Sequence, residues 1–274
     1  MMSLCTADRV RSAPTGTTPM APGNSLYLSV VVPAYNEERR VLSTLDCILA
    51  YIQTKEWTAE IIVVDDGSTD GTMKVVKSLT EQRPEIRVLS NGYNRGKGFS
   101  VRRGILESRG RYVLFSDADL SAPIEETDKL LAALERGWDV VIGSRAVDRG
   151  LLEVPQGKLR RLTGVVFRHL VHVLLGVPFL DTQCGFKAFR RATVLSVFRQ
   201  QRIERFGFDP EILFLALRQG LGILEVGVRW RNDPDTRVRF LRDGARMVFD
   251  LFRIRWFSLT GQYEQPCREA KPEL

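Results

Sequence analysis

Short apolar runs alternate with helical patterns from residue 27 onward, and this alternation constrains the fold more than any other feature. Leu28–Pro33, Glu60–Asp65, Ile86–Leu89, Tyr112–Ser116 and Asp139–Gly143 read as buried-type strands. Between them, Val41, Leu45, Ile48 and Ile52 recur at helical spacing, with Asn36 placed as an N-cap. Further helices are expected near Gly71–Glu81, Gly98–Ser108 and Ile124–Arg136, the last opened by Pro123. Strand–helix alternation of this kind predicts an α/β fold, a mostly parallel sheet with helices on both faces. In such sheets ligands bind beyond the carboxyl ends of the strands.

The second half reads differently. Helices are expected over 158–175, 210–219 and 238–257, with a strand at Ile223–Trp230. The first has basic positions Lys158, Arg160, Arg161 and Arg168. The last has Leu241, Val248, Phe252 and Trp256 on its apolar side and Arg242, Arg246, Asp250 and Arg253 on its polar side. Such helices suit a membrane surface, although packing against the domain with solvated arginines would produce the same pattern. His169 and His172 are read as packing residues. Residues 1–26 read as a disordered tail, 27–237 as the folded domain, 238–261 as an amphipathic surface helix and 262–274 as a flexible end.

Composition matters for the partner. Forty Lys and Arg against thirty-three Asp and Glu give a formal charge of +7, which suits an anionic partner. From Arg145 to Arg205 there are twelve basic and four acidic residues. The four cysteines form no CxxC pair, so a zinc site or disulfide framework is not expected. No window of about 20 apolar residues marks a spanning helix. A nucleic-acid domain is not expected either. The basic residues have no helix-turn-helix or RRM context, and acidic clusters at the sheet edge would repel phosphate backbones.

Five clusters fall where strands end: PAYNEE (Pro33 to Glu38), DDGSTDG (Asp65 to Gly71), NRGKG (Asn94 to Gly98), SDADLSAP (Ser116 to Pro123) and GSR (Gly143 to Arg145). Asp117 and Asp119 point the same way if the segment is extended. Two converging carboxylates call for a cation, and Mg2+ or Mn2+ suits one or two carboxylates plus substrate phosphate oxygens. A turn with capping aspartates is the alternative. Asp66 could accept hydrogen bonds from a ribose or base, Tyr35 could stack on a base, and Glu37 could reach its polar edge. Lys97 lies among glycines that let backbone approach a phosphate closely.

Together these clusters resemble the family 2 glycosyltransferases of GT-A fold. DTQCGFKAF (Asp181 to Phe189) and ERFGFDPEIL (Glu204 to Leu213) look like the dolichyl-phosphate β-glucosyltransferases and bacterial polyprenyl-phosphate relatives. The resemblance implies inverting transfer of glucose from UDP-glucose to a polyprenyl phosphate, aided by Mg2+ or Mn2+. A mannosyltransferase using GDP-mannose, or transfer to a soluble sugar, is the alternative. By the same resemblance, Pro33, Tyr35, Glu37, Val64 and Asp66 line the nucleotide pocket with Lys97 and Ala118. Asp117 contacts the nucleotide sugar and shares the metal with Asp119. Arg145 and Arg237 face the acceptor phosphate, and Asp181 either orients the acceptor or acts as base. It further implies a peripheral enzyme on the cytoplasmic face of an anionic membrane.

Overall fold

The computed structural model describes residues 26–151, 158–231 and 240–263. Its centre is a seven-stranded sheet of order β3-β2-β1-β4-β6-β5-β7. The strands are β1 (Leu28–Ala34), β2 (Ala59–Asp65), β3 (Ile86–Ser90), β4 (Tyr112–Ser116), β5 (Val140–Ser144), β6 (Phe186–Arg190) and β7 (Ile223–Gly227). Strands β1 and β2 pair in parallel with near-continuous burial, as strands covered on both faces must. Helices α1 (Val41–Gln53), α2 (Thr72–Gln82) and α4 (Thr127–Glu135) cover one face. Helices α3 (Lys97–Glu107), α5 (Lys158–Leu175), α6 (Arg191–Gln200), α7 (Phe208–Arg218) and α8 (Phe240–Leu259) share the other. Alternate residues of β1 divide accordingly, Val30 and Val32 into the first core, Val31 into the second.

The GT-A-type architecture expected from the sequence is present. One strand departs from the parallel pattern. Strand β6 runs antiparallel to both β4 and β5. Neither β6 nor α6 was legible as an element. Lys187 interrupts an otherwise apolar FKAF, and a buried lysine disguises a strand. Ser116 pairs with Phe186, so the amino end of β6 meets the carboxyl ends of its neighbours. That reversal delivers residues 181–185 to the ligand edge.

Other boundaries shift. Ile124–Glu126 is a 3-10 turn ahead of α4. Asn36 is not the cap of α1, which starts at Val41 after Arg40. Instead Asn36 adopts a left-handed φ of 55°. From there its Oδ1 accepts from the Thr69 amide at 2.7 Å, and its own amide donates to Ser68 Oγ at 2.9 Å. It fastens the loop after β1 to the loop after β2. Arg237, the tail over 1–25 and the segment 264–274 lie outside the described residues.

The far end of the chain is tied back through Glu211. Its fully buried carboxyl accepts from the Arg202 and Ile203 amides at 2.9 and 2.8 Å and from the Tyr263 hydroxyl at 2.7 Å. Burial, with Asp250 adding to it, pushes the Glu211 pKa from 4.5 to about 7 despite these donors. Between those two values the folded state holds a proton that the unfolded chain releases. The contribution of Glu211 to stability is therefore fully present below pH 4.5 and is lost as pH rises to about 7, by on the order of 3 kcal/mol. Glu211→Gln is expected to flatten this slope, measured by chemical denaturation between about pH 5 and 7.5. An unchanged slope would remove Glu211 from the account.

Candidate active site

The carboxyl edge of the sheet carries the site. The loop after β2 is braced by Asp65, whose carboxylate accepts the Gly67 and Ser68 amides. Gly67 has a φ of 72°, and a Cβ there would lie 2.5 Å from the Tyr93 backbone. The loops after β2 and β3 thus touch, and only glycine permits it. Asp66 completes the seam. Its Oδ1 accepts from Asn91 Nδ2 at 2.8 Å and the Arg95 amide at 3.0 Å, and its Oδ2 from the Gly96 amide at 2.8 Å. Asp66 therefore shapes the NRGKG loop and carries Lys97 with it.

Lys97 begins α3, and its Nζ lies 2.6 Å from Asp117 Oδ1. Burial lowers the Lys97 pKa, but Asp117, Asp209 and Asp119 together outweigh it and raise the net value. Asp117 and Asp119 sit on a tight turn rather than an extended segment. Leu120 in this turn has a φ of 47°, an uncommon conformation for a branched side chain. Thr44 Oγ1 donates to the Ala118 carbonyl at 2.5 Å, which pins the turn to α1. The Ser121 amide donates to Asp119 Oδ1 at 2.9 Å. Burial and the neighbouring Asp117 charge push the Asp119 pKa up. The two carboxylates therefore feel each other even though the backbone is bent.

The stretch before β6 forms the opposite wall. The Asp117 amide donates to the Gly185 carbonyl at 3.1 Å. A Cβ on Gly185 would lie 1.9 Å from Asp117 Oδ2, so only glycine leaves that carboxylate its place. Lys187, with no exposed surface, donates from Nζ to Asp209 Oδ1 and to the Cys184 carbonyl, both at 2.5 Å. Neither Lys187 nor Asp209 stands out as a site residue in the sequence. The signal was available, since a lysine inside an apolar strand must have a buried partner.

Asp181 faces Arg145. The guanidinium donates through Nε and Nη2 to the two carboxylate oxygens at 2.6 and 2.8 Å, and the Arg145 amide adds a third bond at 3.0 Å. Glu225 holds the Leu180 and Asp181 amides at 2.8 and 2.7 Å. Burial would raise the Asp181 pKa, but Arg145 reverses that and holds it below the ordinary carboxylate value. Arg145 also lies over the Trp230 ring at 5.0 Å.

The remaining candidates divide. Tyr35 is exposed and Pro33 is half-buried. Glu37 is buried and paired with Arg40. Val64 has no exposed surface and packs in the α3-side core, so its side chain does not reach the ligand edge.

Among the described residues no group of three or more His, Cys, Asp or Glu could hold a metal. A cation here would have Asp117 and Asp119 and would draw the rest of its oxygens from ligand and water, as Mg2+ commonly does. The charge count fits one. Around Lys97 and Lys187 stand three aspartates, Asp117, Asp119 and Asp209, which leaves one negative charge unbalanced.

Comparison with known proteins places the fold and the family. The model for glycosyl transferase family 2 matches residues 29–198. A dolichyl-phosphate beta-glucosyltransferase of Dictyostelium discoideum is 38% identical over 253 residues, 88% of this chain and 77% of that protein. Those of Drosophila melanogaster and Homo sapiens are 39% and 35% identical, with 87% and 86% of this chain and 77% of each relative covered. Among solved structures, mannosyl-3-phosphoglycerate synthase from Rubrobacter xylanophilus superposes with a TM-score of 0.63 at 23% identity, covering 91% of this chain and 78% of that one. Glucosyl-3-phosphoglycerate synthase from Mycobacterium tuberculosis, in complex with Mn2+, UDP-glucose and phosphoglyceric acid, gives 0.61 at 23%, covering 86% and 80%. These two show the shared fold. The chain belongs to the family 2 glycosyltransferases, and its similarity over most of its length sets it beside the dolichyl-phosphate β-glucosyltransferases.

Proposed function

We propose that the chain transfers glucose from UDP-glucose to a polyprenyl phosphate at a membrane surface, with inversion at the anomeric carbon. The observation that carries this is the meeting of two aspartates, a half-buried lysine and a carboxylate-held arginine along one sheet edge. The relatives named above point to glucose and to a dolichyl-type acceptor. Tyr35 and Pro33 would border the nucleotide, with Asp66 and Glu37 fixing the loops around it. A divalent cation held by Asp117 and Asp119 would neutralise charge growing on the leaving diphosphate.

The acceptor needs little activation. A phosphate monoester is mostly dianionic near neutral pH and already nucleophilic. One of its oxygens attacks the anomeric carbon, and the bond from that carbon to the UDP oxygen breaks with its electrons leaving on UDP. Arg145 would face the acceptor phosphate. Asp181 already accepts both guanidinium bonds and stays ionised, so it suits orienting Arg145 better than taking a proton.

The lipid side is supported by α8, which has two apolar faces. Leu251 and Ile254 are buried in the core, while Phe249, Phe252, Trp256 and Leu259 are exposed along the opposite stripe. The sequence placed Phe252 and Trp256 on one apolar side, and the structure turns them outward. Helix α5 packs on α8 and exposes Val165, Val166 and Val173. Beside it a groove of about 560 Å3 is lined by Leu170, Phe179 and Leu180 with Arg168, His169 and His172. The histidines are exposed and are not packing residues. No described helix is long and apolar enough to cross a membrane. Apolar side chains beside arginines are the composition of an interfacial surface.

Transfer assays test the reaction. Radiolabelled UDP-glucose, offered with a polyprenyl phosphate in detergent, is expected to label the lipid only when Mg2+ or Mn2+ is present. Label from GDP-mannose instead would replace the donor. Asp119→Asn is expected to lower kcat by about a hundredfold or more with the melting temperature retained. Gly185→Ala is expected to lower it comparably, because Asp117 must move. Near-normal rates in either variant would sink its assignment. Replacing Phe252 and Trp256 together by serine is expected to weaken sedimentation with anionic vesicles by about tenfold or more, since two large apolar contacts are lost. Unchanged sedimentation would remove α8 from the membrane face.

A further inference from the structure

Lys97 stands where a cation is disfavoured twice. It is the first residue of α3, at the positive end of the helix dipole. Its side chain is also largely enclosed, at 21% exposed. A lysine in such a place needs anions, and the anions it has are those the proposed function gives to a metal. Its Nζ holds Asp117 Oδ1 at 2.6 Å. An ammonium and a divalent cation cannot share that oxygen closely, because like charges at such range repel strongly in an enclosed site. Lys187 offers no alternative partner, since it is fully buried on Asp209 and the Cys184 carbonyl. Lys97 alone of the two has some solvent exposure and sits at a loop–helix junction.

We propose that Lys97 is the resident counter-ion of the Asp117–Asp119 pair, and that a divalent cation gains Asp117 by displacing the Lys97 ammonium onto an incoming nucleotide diphosphate. The inference rests on the metal-assisted reading above and adds regulation to that site. Without nucleotide, a divalent cation would turn the unbalanced single negative charge into a single positive one and would strand a buried ammonium. With nucleotide, the diphosphate supplies the anion that Lys97 loses. Cation and nucleotide then bind as coupled ligands, each tightening the other by the same factor. Lys97 would thereby keep the site from filling with free cation before the donor arrives.

Mn2+ binding to the full chain, followed by electron paramagnetic resonance with and without UDP, tests this. Direct contact between cation and diphosphate would also couple the two, so the nucleotide-free arm decides. Lys97→Met, similar in length but uncharged, is expected to bind Mn2+ without UDP about tenfold or more tightly than the wild type, and to gain less from UDP. Lys97→Arg keeps the charge and is expected to keep weak nucleotide-free binding. Native melting with Mn2+ affinity in Lys97→Met no higher than in wild type would overturn the proposal.

A second measurement covers the case in which Lys97→Met does not fold. In 15N-lysine spectra of the wild type, the Lys97 ammonium signal, assigned through its loss in Lys97→Arg, is expected to stay in place with Mg2+ alone and to shift with Mg2+ and UDP together. A signal that shifts with Mg2+ alone, or with neither, would overturn the proposal. Mn2+ bound tightly with and without UDP, and indifferent to Lys97, would remove this inference and leave the metal reading standing. No Mn2+ binding in any sample would remove both.

Discussion

The antiparallel pairing of β6 with β4 decides where the charged groups of this protein meet. In a wholly parallel sheet, a sixth strand would enter from the amino edge and carry residues 181–185 away from the ligand side. Because Ser116 faces Phe186 across the ladder, those residues enter from the carboxyl edge instead. Gly185 then lies against the Asp117 carboxylate, and Asp181 comes within reach of Arg145 at the end of β5. The same reversal points Lys187 into the α7-side core, where Asp209 receives it. One strand direction thus sets three separate contacts.

Each of those contacts compensates another. Lys97 offsets the half-buried Asp117 carboxylate, and the carboxylates offset the cost of a cation at a helix amino end. Asp209 stands near Lys97 but is hydrogen-bonded to Lys187. Removing one partner of the Lys97–Asp117 or Lys187–Asp209 pair would leave an unpaired charge in an enclosed space, which costs more than the pair contributes. The arrangement is therefore better understood as a device for holding specific charges in specific places than as a source of stability. Its unbalanced negative charge lies at Asp119, the member whose pKa is pushed up by burial and by Asp117.

Much of this was legible in the residues, and the part that was not has identifiable causes. The alternation of apolar runs and helical spacing placed β1 to β5 within a few residues. The clusters after those strands did converge on one edge. The fifth, GSR, could not by itself show that its arginine is held by a carboxylate thirty-six positions later. Strand β6 was missed because its central residue is charged, and period-two reading treats a lysine as solvent-facing. Val64 is a pocket residue only by the family resemblance, whereas its side chain lies on the strand face turned into the α3-side core. Asn36 has the residue type of a cap but serves as a loop clasp. Short polar side chains suit both tasks, and only the left-handed backbone distinguishes them.

The apolar surface and the charged edge answer different halves of one problem. A soluble nucleotide sugar and a water-insoluble acceptor must reach the same few ångströms of space. On the proposed reading the nucleotide takes the loops after β1, β2 and β3, which Asn36, Asp66 and Gly67 stitch together. The same reading gives the acceptor side to α5 and α8, which contact each other and share a core with α7. Residues 176–180 connect α5 directly to Asp181. Any movement of α5 on a lipid surface would thus be felt at Asp181 and, through its two bonds, at Arg145. Glu225 restrains that link by holding the Leu180 and Asp181 amides from β7. Glu225 of β7 therefore anchors the end of this segment that carries Asp181, while on the proposed reading its α5 end meets the lipid.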